Sequence, residues 1–347
     1  MTATPAPALR SFGSQALHYF AREHEGVARA PVGGPASWRG AELAARGLDA
    51  LATPLAPHEV AELEGAARGV LASGAAPGAL TRDAFPLPRL APRIAGWARE
   101  LDAGRGFVLL RGLPVERWGD ELAGLAFFGM GLHLGTPGAQ NPQGDVLGHV
   151  TDTGDDARDP FVRRYRTSGD IAFHCDLADV VGLLCLRASP AGGASRIASS
   201  VAVHDEILAR RPDLLARLYE PFALDSRGEQ GDGRAPYLPV APCRHARGRL
   251  RTFYHSDYFR SATRHAGVAP FTADELALLD LFEEIAGSPA FRLDMQLAPG
   301  DVQLLSNHTV VHARTAYRDG DAPRERRHLL RLWLSLERAA SPGEERA

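Results

Sequence analysis

The chain has 347 residues, enough to bury a large core, and its formal net charge of -3 argues against a nucleic-acid or anionic-membrane surface. Arginine supplies every basic side chain, because the sequence contains no lysine. This excludes Schiff-base catalysis by lysine and phosphate loops of the Walker type, both of which need an amine.

The cysteines and the apolar pattern indicate the cellular compartment in which the protein is expected. Cys175, Cys185 and Cys243 form no CxxC pair, and an odd number of cysteines suits a reducing compartment. The first residues, MTATPAPALRSF, lack the charged start and apolar stretch of a secretory signal, and no apolar run reaches membrane-spanning length. We therefore expect a cytoplasmic globular protein whose partners include neither membrane nor nucleic acid.

The first third of the chain predicts mostly helices. Residues 1–40 are rich in Ala, Pro and Gly and are expected to be loosely structured. Spaced apolar residues predict amphipathic helices over 56–73 and 87–104. The apolar segment GRGFVLLRGLP at 104–114 is closed by Gly and Pro and predicts a buried strand, and 116–135 returns to helix.

Strands and loops dominate the remainder of the chain. The stretch GDVLGHVTDTGDDARDP at 144–160 is polar and rich in turn formers, so it predicts a long loop. Residues 199–222 predict two helices broken near Pro212. Residues 272–288 predict a helix that begins with the capping-box spacing of Thr272 and a glutamate.

Strand-like segments at 291–317 and 326–337 complete the pattern. Strands with helices inserted between them favour a mainly β fold, a double-sheet jelly roll, over a parallel βαβ sheet. No internal repeat or linker divides the chain, so we expect a single domain. Its expected parts are a mostly helical N-terminal portion (1–103), a jelly-roll core with inserted helices (104–337) and a polar tail (338–347).

The stretch IAFHCDLADVVGLLCL at 171–186 contains the first candidate metal site. Residues i and i+2 of a strand share a face, so His174 and Asp176 would project together while Cys175 points away. Two histidines and one carboxylate are typical of non-haem Fe(II) oxygenases, because three positions stay open for cosubstrate and oxygen. No cysteine joins these ligands, which argues against a structural zinc site.

The His-x-Asp spacing also arises by chance, and the sequence contains a second, rival pair, His255 and Asp257. The third ligand is offered by His308 or His312 in LLSNHTVVHARTAY. Strands that neighbour each other in a jelly roll can be distant in sequence, so spacing does not decide between the pairs. His308 is the weaker candidate because it follows Asn307 at an expected bend.

Residues that could bind a cosubstrate are found in the segments associated with His174 and Asp176, and not with His255 and Asp257. Two glycines in ASPAGGASRIASS place Ser195 on the next strand, and in RRHLLRLWL the residues Arg327 and Arg331 share a strand face. An arginine beside a hydroxyl can hold the distal carboxylate of a 2-oxoacid through forked, charged hydrogen bonds. This accompaniment favours His174 and Asp176 over the second pair.

Four segments, in their order along the chain, resemble the taurine dioxygenase family of Fe(II)/2-oxoglutarate oxygenases, whose wider relatives include clavaminate synthase. They are GRGFVLLRGLP, FHCDLADVVGLLCLRASPAGGAS, PGDVQLLSNHTVVHARTAY and RHLLRLWL, within residues 104–334. The similarity is patchy between 215 and 290. The resemblance implies a distorted double-stranded β-helix that uses Fe(II), 2-oxoglutarate and O2 and releases succinate and CO2.

The resemblance also implies ligand roles. His174 and Asp176 match the family's proximal iron ligands, and His312, before ART, matches the distal ligand. The second pair, His255 and Asp257, then falls outside the pattern.

Cosubstrate binding is implied for two residues. Arg327 matches the arginine that holds the 5-carboxylate of 2-oxoglutarate, and Ser195 stands where the family has an assisting Thr or Ser. The loop before Arg327 is longer than in taurine dioxygenase, which makes Arg324 and Arg326 rivals. Strand alternation with Arg331 favours Arg327.

The substrate is expected to be a small, acidic or amino-acid-like molecule. Arg331 matches a position that meets an acidic substrate group in several relatives. Gln140 and Asn141 in GAQNPQG precede the long loop and are candidates for the substrate pocket. Halogenating relatives replace the iron-binding carboxylate with a small residue, so Asp176 favours hydroxylation, with desaturation or ring formation as variants.

Two other classes of function stay open. A metal-dependent hydrolase or isomerase on a cupin-like barrel could use a His/Asp/His site without redox chemistry. It would not need the Arg327 and Ser195 anchor, so affinity for 2-oxoglutarate separates the two classes. A non-catalytic sensor would have no reason to keep ligands and anchor together. The oligomeric state is not determined by the sequence.

Overall fold

A computed structural model describes residues 9–156, 159, 161–231 and 233–336. Its helices are α1 (Phe12–Phe20), α2 (Gly40–Ala45), α3 (Leu48–Leu51), α4 (Pro57–Ser73), α5 (Ala91–Ala103), α6 (Val115–Leu134), α7 (Ser200–Arg210), α8 (Pro212–Leu215), α9 (Ser256–Ala262) and α10 (Ala273–Gly287). Short 3-10 helices lie at Pro77–Ala79, Arg164–Arg166, Ala216–Tyr219 and Pro323–Glu325. In the described ranges, no helix is both long and apolar enough to cross a membrane.

The strands are β1 (Ala52–Pro54), β2 (Phe107–Arg111), β3 (Thr136–Gly138), β4 (Leu147–Val150), β5 (Ile171–His174), β6 (Val180–Arg187), β7 (Ala191–Gly192), β8 (Ser195–Ser199), β9 (Phe222–Asp225), β10 (Tyr237–Val240), β11 (Cys243–Ala246), β12 (Arg249–Thr252), β13 (Arg292–Met295), β14 (Val302–Ser306), β15 (Val310–Arg314), β16 (Tyr317–Arg318) and β17 (His328–Ser335).

Two of the sheets face each other. The larger has the order β1-β2-β14-β6-β17-β3, with β4 also paired to β17, and the smaller has the order β13-β8-β15-β5. Side chains of both sheets share one apolar core, to which the larger contributes Leu109, Val181 and Trp333 and the smaller Ile197 and Val310. This is the double-stranded β-helix, or jelly roll, that the sequence predicts.

Period-two alternation gives the strands an inner and an outer face. On β17, Leu329 and Trp333 pack into the core between the sheets, whereas Leu330 and Leu332 pack outward against a second core that includes α4, α5 and α6. Arg331, which lies between the two outward leucines, therefore projects inward. The interior of the jelly roll is where polar side chains of β17 and β15 can meet.

Helices cover the outer faces of both sheets. The helices α4 to α6 lie on the larger sheet, and α7, α8, α9 and α10 share a third apolar core with outward residues of the smaller sheet such as Ala198 and Val311. The N-terminal helix α1 joins this third core through Tyr19, which is fully buried.

Most predicted elements are confirmed. Helices predicted over 56–73, 87–104 and 116–135 correspond to α4, α5 and α6. The break near Pro212 separates α7 from α8, and Thr272 caps α10 in a capping box. The predicted buried strand contains β2.

Two expectations were wrong. Residues 12–20, expected to be loose, form α1, because Ser11 caps the helix and Tyr19 anchors it in the core. The predicted loop 144–160 contains β4, whose sequence lacks alternation and which is held by its pairing with β17. The predicted tail, 338–347, lies outside the described residues.

Candidate metal centre and cosubstrate pocket

Three side chains from two neighbouring strands meet on the inner face of the smaller sheet. His174 ends β5, Asp176 follows two residues later, and His312 lies opposite His174 on β15. One ligand atom from each residue lies within 4.8 Å of the other two. The structure therefore brings together the three predicted metal ligands, although 136 positions separate Asp176 from His312 in sequence.

Backbone hydrogen bonds fix the short segment that carries two of these residues. The Asp176 N–H donates to Asn307 Oδ1 at 3.0 Å, and the Asn307 amide donates to the Ala178 carbonyl at 2.9 Å. Cys175 turns away from the cluster, and its N–H donates to the Tyr254 carbonyl at 2.7 Å. The alternation predicted for His174, Cys175 and Asp176 thus continues just past the end of β5.

The electrostatics of the cluster suit a metal cation. Burial, and then the neighbouring His174, lower the pKa of His312 to about 3, so its imidazole is neutral at ordinary pH. Burial opposes ionisation of Asp176, but the neighbouring Arg331 guanidinium holds its pKa below the usual value. The cluster offers two imidazoles, of which that of His312 is neutral, and one carboxylate.

Unsatisfied atoms show that this donor set fits Fe(II). The Oδ2 atom of Asp176 is buried and has no hydrogen-bond partner among the described residues. His174 Nδ1 lies 2.9 Å from the Ala172 carbonyl, which places the proton on Nδ1 and leaves Nε2 free for a metal. Nitrogen and carboxylate oxygen donors on one face, with no thiolate, match non-haem Fe(II).

The rival residues lie close by but are used differently. His255 precedes α9 and Asp257 lies in its first turn, so strand alternation does not apply and the two do not act as a pair. The His255 ring nevertheless lies 5.0 Å from the His174 ring. Burial, and then His174, hold its pKa well below the usual value. His308 instead bonds Asp179, with Nε2 2.7 Å from Oδ1.

Arg327 lies in a buried pocket beside the smaller sheet. Its Nη1 atom is buried and has no partner among the described residues, and its guanidinium lies 5.1 Å from the Tyr317 ring centre. The rivals Arg324 and Arg326 are exposed. Burial therefore distinguishes Arg327 from its neighbours, in agreement with the alternation argument.

Glycine makes room for this arginine. Gly193 has a φ of +73°, and a Cβ there would come within 3.0 Å of Arg327 Nε and 2.9 Å of Ser189 Oγ. Ser195, two residues later, is buried, and its hydroxyl donates to Gln303 Oε1 at 2.8 Å. The hydroxyl keeps its acceptor capacity, while its proton is used within the protein.

Two further residues, Arg314 and Tyr317, line this pocket and were not predicted from the sequence. Arg314 lies opposite Ser195 in the β8–β15 pairing, and its Nη2 donates to the Thr167 carbonyl at 2.6 Å. Its Nε and Nη1 and the Tyr317 hydroxyl are buried without partners among the described residues. Burial, and then Arg327, lower the pKa of Arg314 to about 10. Arg314 lies two residues after His312 on one strand, so strand alternation could have predicted that both side chains share a face.

Arg331 lies between the metal cluster and the rings of Tyr165 and Trp333. Its Nη1 is 3.6 Å from Asp176 Oδ1, and its guanidinium lies 4.4 Å from the Tyr165 ring centre. Gln140 holds it twice: Arg331 Nε donates to Gln140 Oε1 at 2.6 Å, and Gln140 Nε2 donates to the Arg331 carbonyl at 2.7 Å. Gln140 is therefore a positioning residue for Arg331.

Asn141, the other candidate for the substrate pocket, is engaged within its own loop. Its amide donates to Asp145 Oδ2 at 2.7 Å, and the Asp145 N–H donates back to Asn141 Oδ1 at 3.1 Å. These bonds form a local turn, so the structure gives the expected substrate contact no support.

A jelly roll with a His/Asp/His cluster inside and a buried, unpaired arginine beside it defines a non-haem iron oxygenase of the 2-oxoacid-dependent class. Residues 72–333 match the family described as "Taurine catabolism dioxygenase TauD, TfdA family". The FR-33289 synthase of Streptomyces rubellomurinus is 35% identical over 262 residues, which cover 74% of this chain and 77% of that protein. The chain therefore belongs to the taurine dioxygenase family, and it is an Fe(II)/2-oxoglutarate-dependent oxygenase.

Solved structures share the fold. An asparagine oxygenase in complex with Fe(II), 2S,3S-3-hydroxyasparagine and succinate superposes with a TM-score of 0.64 at 20% identity, covering 82% of this chain and 93% of that one. The non-heme iron oxygenase OrfP in complex with Fe and alpha-ketoglutaric acid gives 0.61 at 18% identity, covering 82% and 93%. The family assignment decides for the oxygenase against the non-redox hydrolase or isomerase.

Proposed function

We propose that the protein hydroxylates a small acidic or amino-acid-like molecule at an iron held by His174, Asp176 and His312. The observation that carries this proposal is the convergence of their ligand atoms within 4.8 Å on the inner face of the jelly roll. The neutral state of His312 and the ionised state of Asp176 favour a divalent cation over a proton at this point.

The 5-carboxylate of 2-oxoglutarate is assigned to Arg327, with Arg314, Tyr317 and Ser195 around it. Two buried guanidiniums with unsatisfied N–H groups, and no carboxylate bonded to either among the described residues, are costly unless an anion occupies the pocket. The Tyr317 hydroxyl is a further unused donor. Forked N–H groups match a carboxylate in geometry as well as charge.

The residues of the chain bind and orient, while the iron and its cosubstrate supply the oxidation. When both are bound, O2 is consumed as 2-oxoglutarate is converted to succinate and CO2 and the substrate is oxidised. Arg331, held by Gln140, is placed to orient an acidic substrate group beside Asp176. Arg331 and Asp176 are both buried, so bulk water has little access to these contacts.

Hydroxylation of an amino-acid-like substrate is supported by two points. The asparagine oxygenase that shares this fold binds a hydroxylated amino acid, 3-hydroxyasparagine. Asp176 occupies the metal position that a halogenating relative would leave open to halide.

The three cysteines are buried and unpaired, which supports action in the reducing cytoplasm.

Anaerobic titration of the protein with Fe(II) and 2-oxoglutarate tests this proposal, with the weak visible charge-transfer band of the chelate as the signal. We expect the band in the wild type, its loss in His174→Ala, and its retention in His255→Ala. His255→Ala is the matched control, because its ring neighbours His174 but lies outside the proposed ligand set.

Each other result has a definite meaning. A band lost only in His255→Ala would move the iron to the second pair. A wild type that binds iron but shows no band with 2-oxoglutarate would sink the assignment of Arg327 and its neighbours as the cosubstrate pocket.

A further inference from the structure

One buried arginine near the metal centre is left without a counter-charge. Arg227 is 9% exposed, and its Nε is buried with no hydrogen-bond partner among the described residues. Neither a hydrogen bond nor an ion pair joins its guanidinium to another described residue. A buried, unpaired cation is unfavourable in the protein alone, so its presence points to a ligand that completes it.

A stack of rings connects this arginine to the iron ligands. The Arg227 guanidinium lies over the Tyr258 ring, 4.2 Å from its centre, and that ring stacks on His255 at 3.7 Å. His255 lies 5.0 Å from the His174 ring. The stack therefore extends from Arg227 to the ring of His174, one of the proposed iron ligands.

The backbone holds Arg227 in a defined direction. Its φ is +48°, in the left-handed region that ordinary residues rarely adopt. Its N–H donates to Asp225 Oδ1 at 2.9 Å, and the other Asp225 oxygen accepts from Ser261 of α9 at 2.7 Å. The backbone of Arg227 is therefore held by an aspartate that is itself fixed, and this preorganisation lowers the cost of binding a ligand.

The acidic side chains nearby are committed to other cations. Glu229 forms a forked pair with Arg163, whose Nε lies 2.7 Å from Glu229 Oε1. Asp225 pairs with Arg264 at 3.1 Å and with His265 at 2.9 Å. Among the described residues of this stack, Arg227 carries a positive charge that no carboxylate pairs.

We propose that Arg227 binds an oxyanion on the substrate, at the end away from the reacting carbon. This proposal rests on the function proposed above. Arg331 bonds Gln140 through its Nε and lies near Asp176, where it is proposed to orient one acidic group, whereas the Arg227 guanidinium makes no hydrogen bond to another described residue and is available for a second oxyanion. The substrate class is therefore a small molecule with a terminal carboxylate, sulfonate or phosphonate. The Tyr258 ring adds a cation–π contact that orients the Arg227 guanidinium.

Calorimetric titration of the full chain, loaded anaerobically with Fe(II) and saturating 2-oxoglutarate, tests this assignment. The probes are butyrate, propanesulfonate and propylphosphonate, with 1-butanol as the neutral analogue. Saturating 2-oxoglutarate keeps the probes out of the Arg327 pocket, and ionic strength is held constant because screening alters anion binding. The chelate band recorded on the same samples reports independently on the proposed function.

Three variants are compared with the wild type. We expect at least one oxyanion, but not butanol, to bind the wild type, and Arg227→Gln to weaken that binding at least tenfold while the chelate band persists. Arg227→Lys, which keeps the charge but loses the fork, should bind with an intermediate Kd. Arg247→Gln is the matched control, because Arg247 has a similar φ of +51° but lies in an exposed hairpin turn.

Other outcomes would overturn the assignment. Equal Kd values in wild type and Arg227→Gln would do so, as would failure of all three oxyanions to bind the wild type at up to about 20 mM. Since an unpaired buried charge adds no stability, Arg227→Gln should melt no lower than the wild type. A large drop in Tm, or loss of folding, would show that Arg227 is a structural support instead. Loss of the chelate band in the wild type would count against the proposed function alone.

Discussion

Two histidines of one segment, His308 and His312, are buried four positions apart and serve different purposes. His312 turns toward Asp176 at the candidate metal centre, with 3.7 Å between Nε2 and Oδ2. His308 stacks on Tyr19 and bonds Asp179. The sequence ranked His312 above His308, and the placement of His308 outside the ligand cluster agrees with that ranking.

His308 should make the stability of the metal-free protein depend on pH. Burial, and then Arg22, lower its pKa to about 3, whereas an exposed imidazole in the unfolded chain titrates near 6.5. Between these values the unfolded state binds more protons, so the free energy of unfolding falls as pH decreases from about 6.5 toward 3. Urea unfolding at several pH values between 7.5 and 4 measures this slope.

His308→Gln is the control for this prediction, since its amide can still donate to Asp179 but does not titrate. Its slope should be shallower by up to one proton, about 1.4 kcal/mol per pH unit. Parallel pH profiles for the two proteins would show that His308 is not the group responsible.

At the scale of elements, small residues decide how closely helix α6 packs. Gly129 lies against the fully buried ring of Phe85, and a Cβ added there would come within 2.3 Å of it. Gly131, on the same helix, faces Leu332 of β17 in the same way, at 2.8 Å. These contacts set the distance between α6, the segment before α5 and the larger sheet.

A pair of glycine-to-alanine substitutions tests that packing. Gly129→Ala should lower the free energy of unfolding by about 1–3 kcal/mol, because neither the helix nor Phe85 has room to move. Gly96→Ala in α5 is the matched control: its nearest atom is Arg99 Nη2 at 3.7 Å, so helix propensity should make it stabilising by about 0.5–1 kcal/mol. Denaturant melts that showed the same sign for both would contradict this account.

At the scale of the whole molecule, the N-terminal portion is tied into the jelly roll. The Tyr19 hydroxyl lies 2.8 Å from the Asn307 carbonyl and 3.1 Å from the Thr252 carbonyl, which share its single proton, and His18 bonds Asp179 at 2.8 Å. Asn307 is also the residue that fixes Asp176. We infer from these contacts that the chain unfolds as one domain.

Tyr19→Phe tests this connection. Loss of the hydroxyl leaves two buried carbonyls without this donor, so we expect the free energy of unfolding to fall by about 1–3 kcal/mol. Far-UV and near-UV circular dichroism should shift together if the chain is one cooperative unit. Leu17→Gln, on the exposed face of the same helix, should have little effect. Separate transitions for the two signals would contradict a single domain.

The local sequence pattern predicted many helices and strands, because these elements depend mainly on residues that are neighbours in the chain. Period-two alternation sufficed for the His174–Asp176 face, caps and breakers located α10 and the α7–α8 break, and four ordered segments indicated the family. Local pattern failed where an element depends on a distant partner. Helix α1 needs the pocket that receives Tyr19, and β4 needs β17 as a neighbour.

Only the tertiary structure decided which of several chemically similar residues meet. The sequence by itself determined the residue types of an iron site, but His255 and Asp257 had the same spacing as His174 and Asp176. Pairing of β15 with β5 brought His312 to the first pair, and the start of α9 divided the second. Arg227 had no sequence signal, because an unpaired buried charge is defined by what surrounds it in three dimensions. Side-chain chemistry is local, whereas burial and partnership are properties of the folded chain.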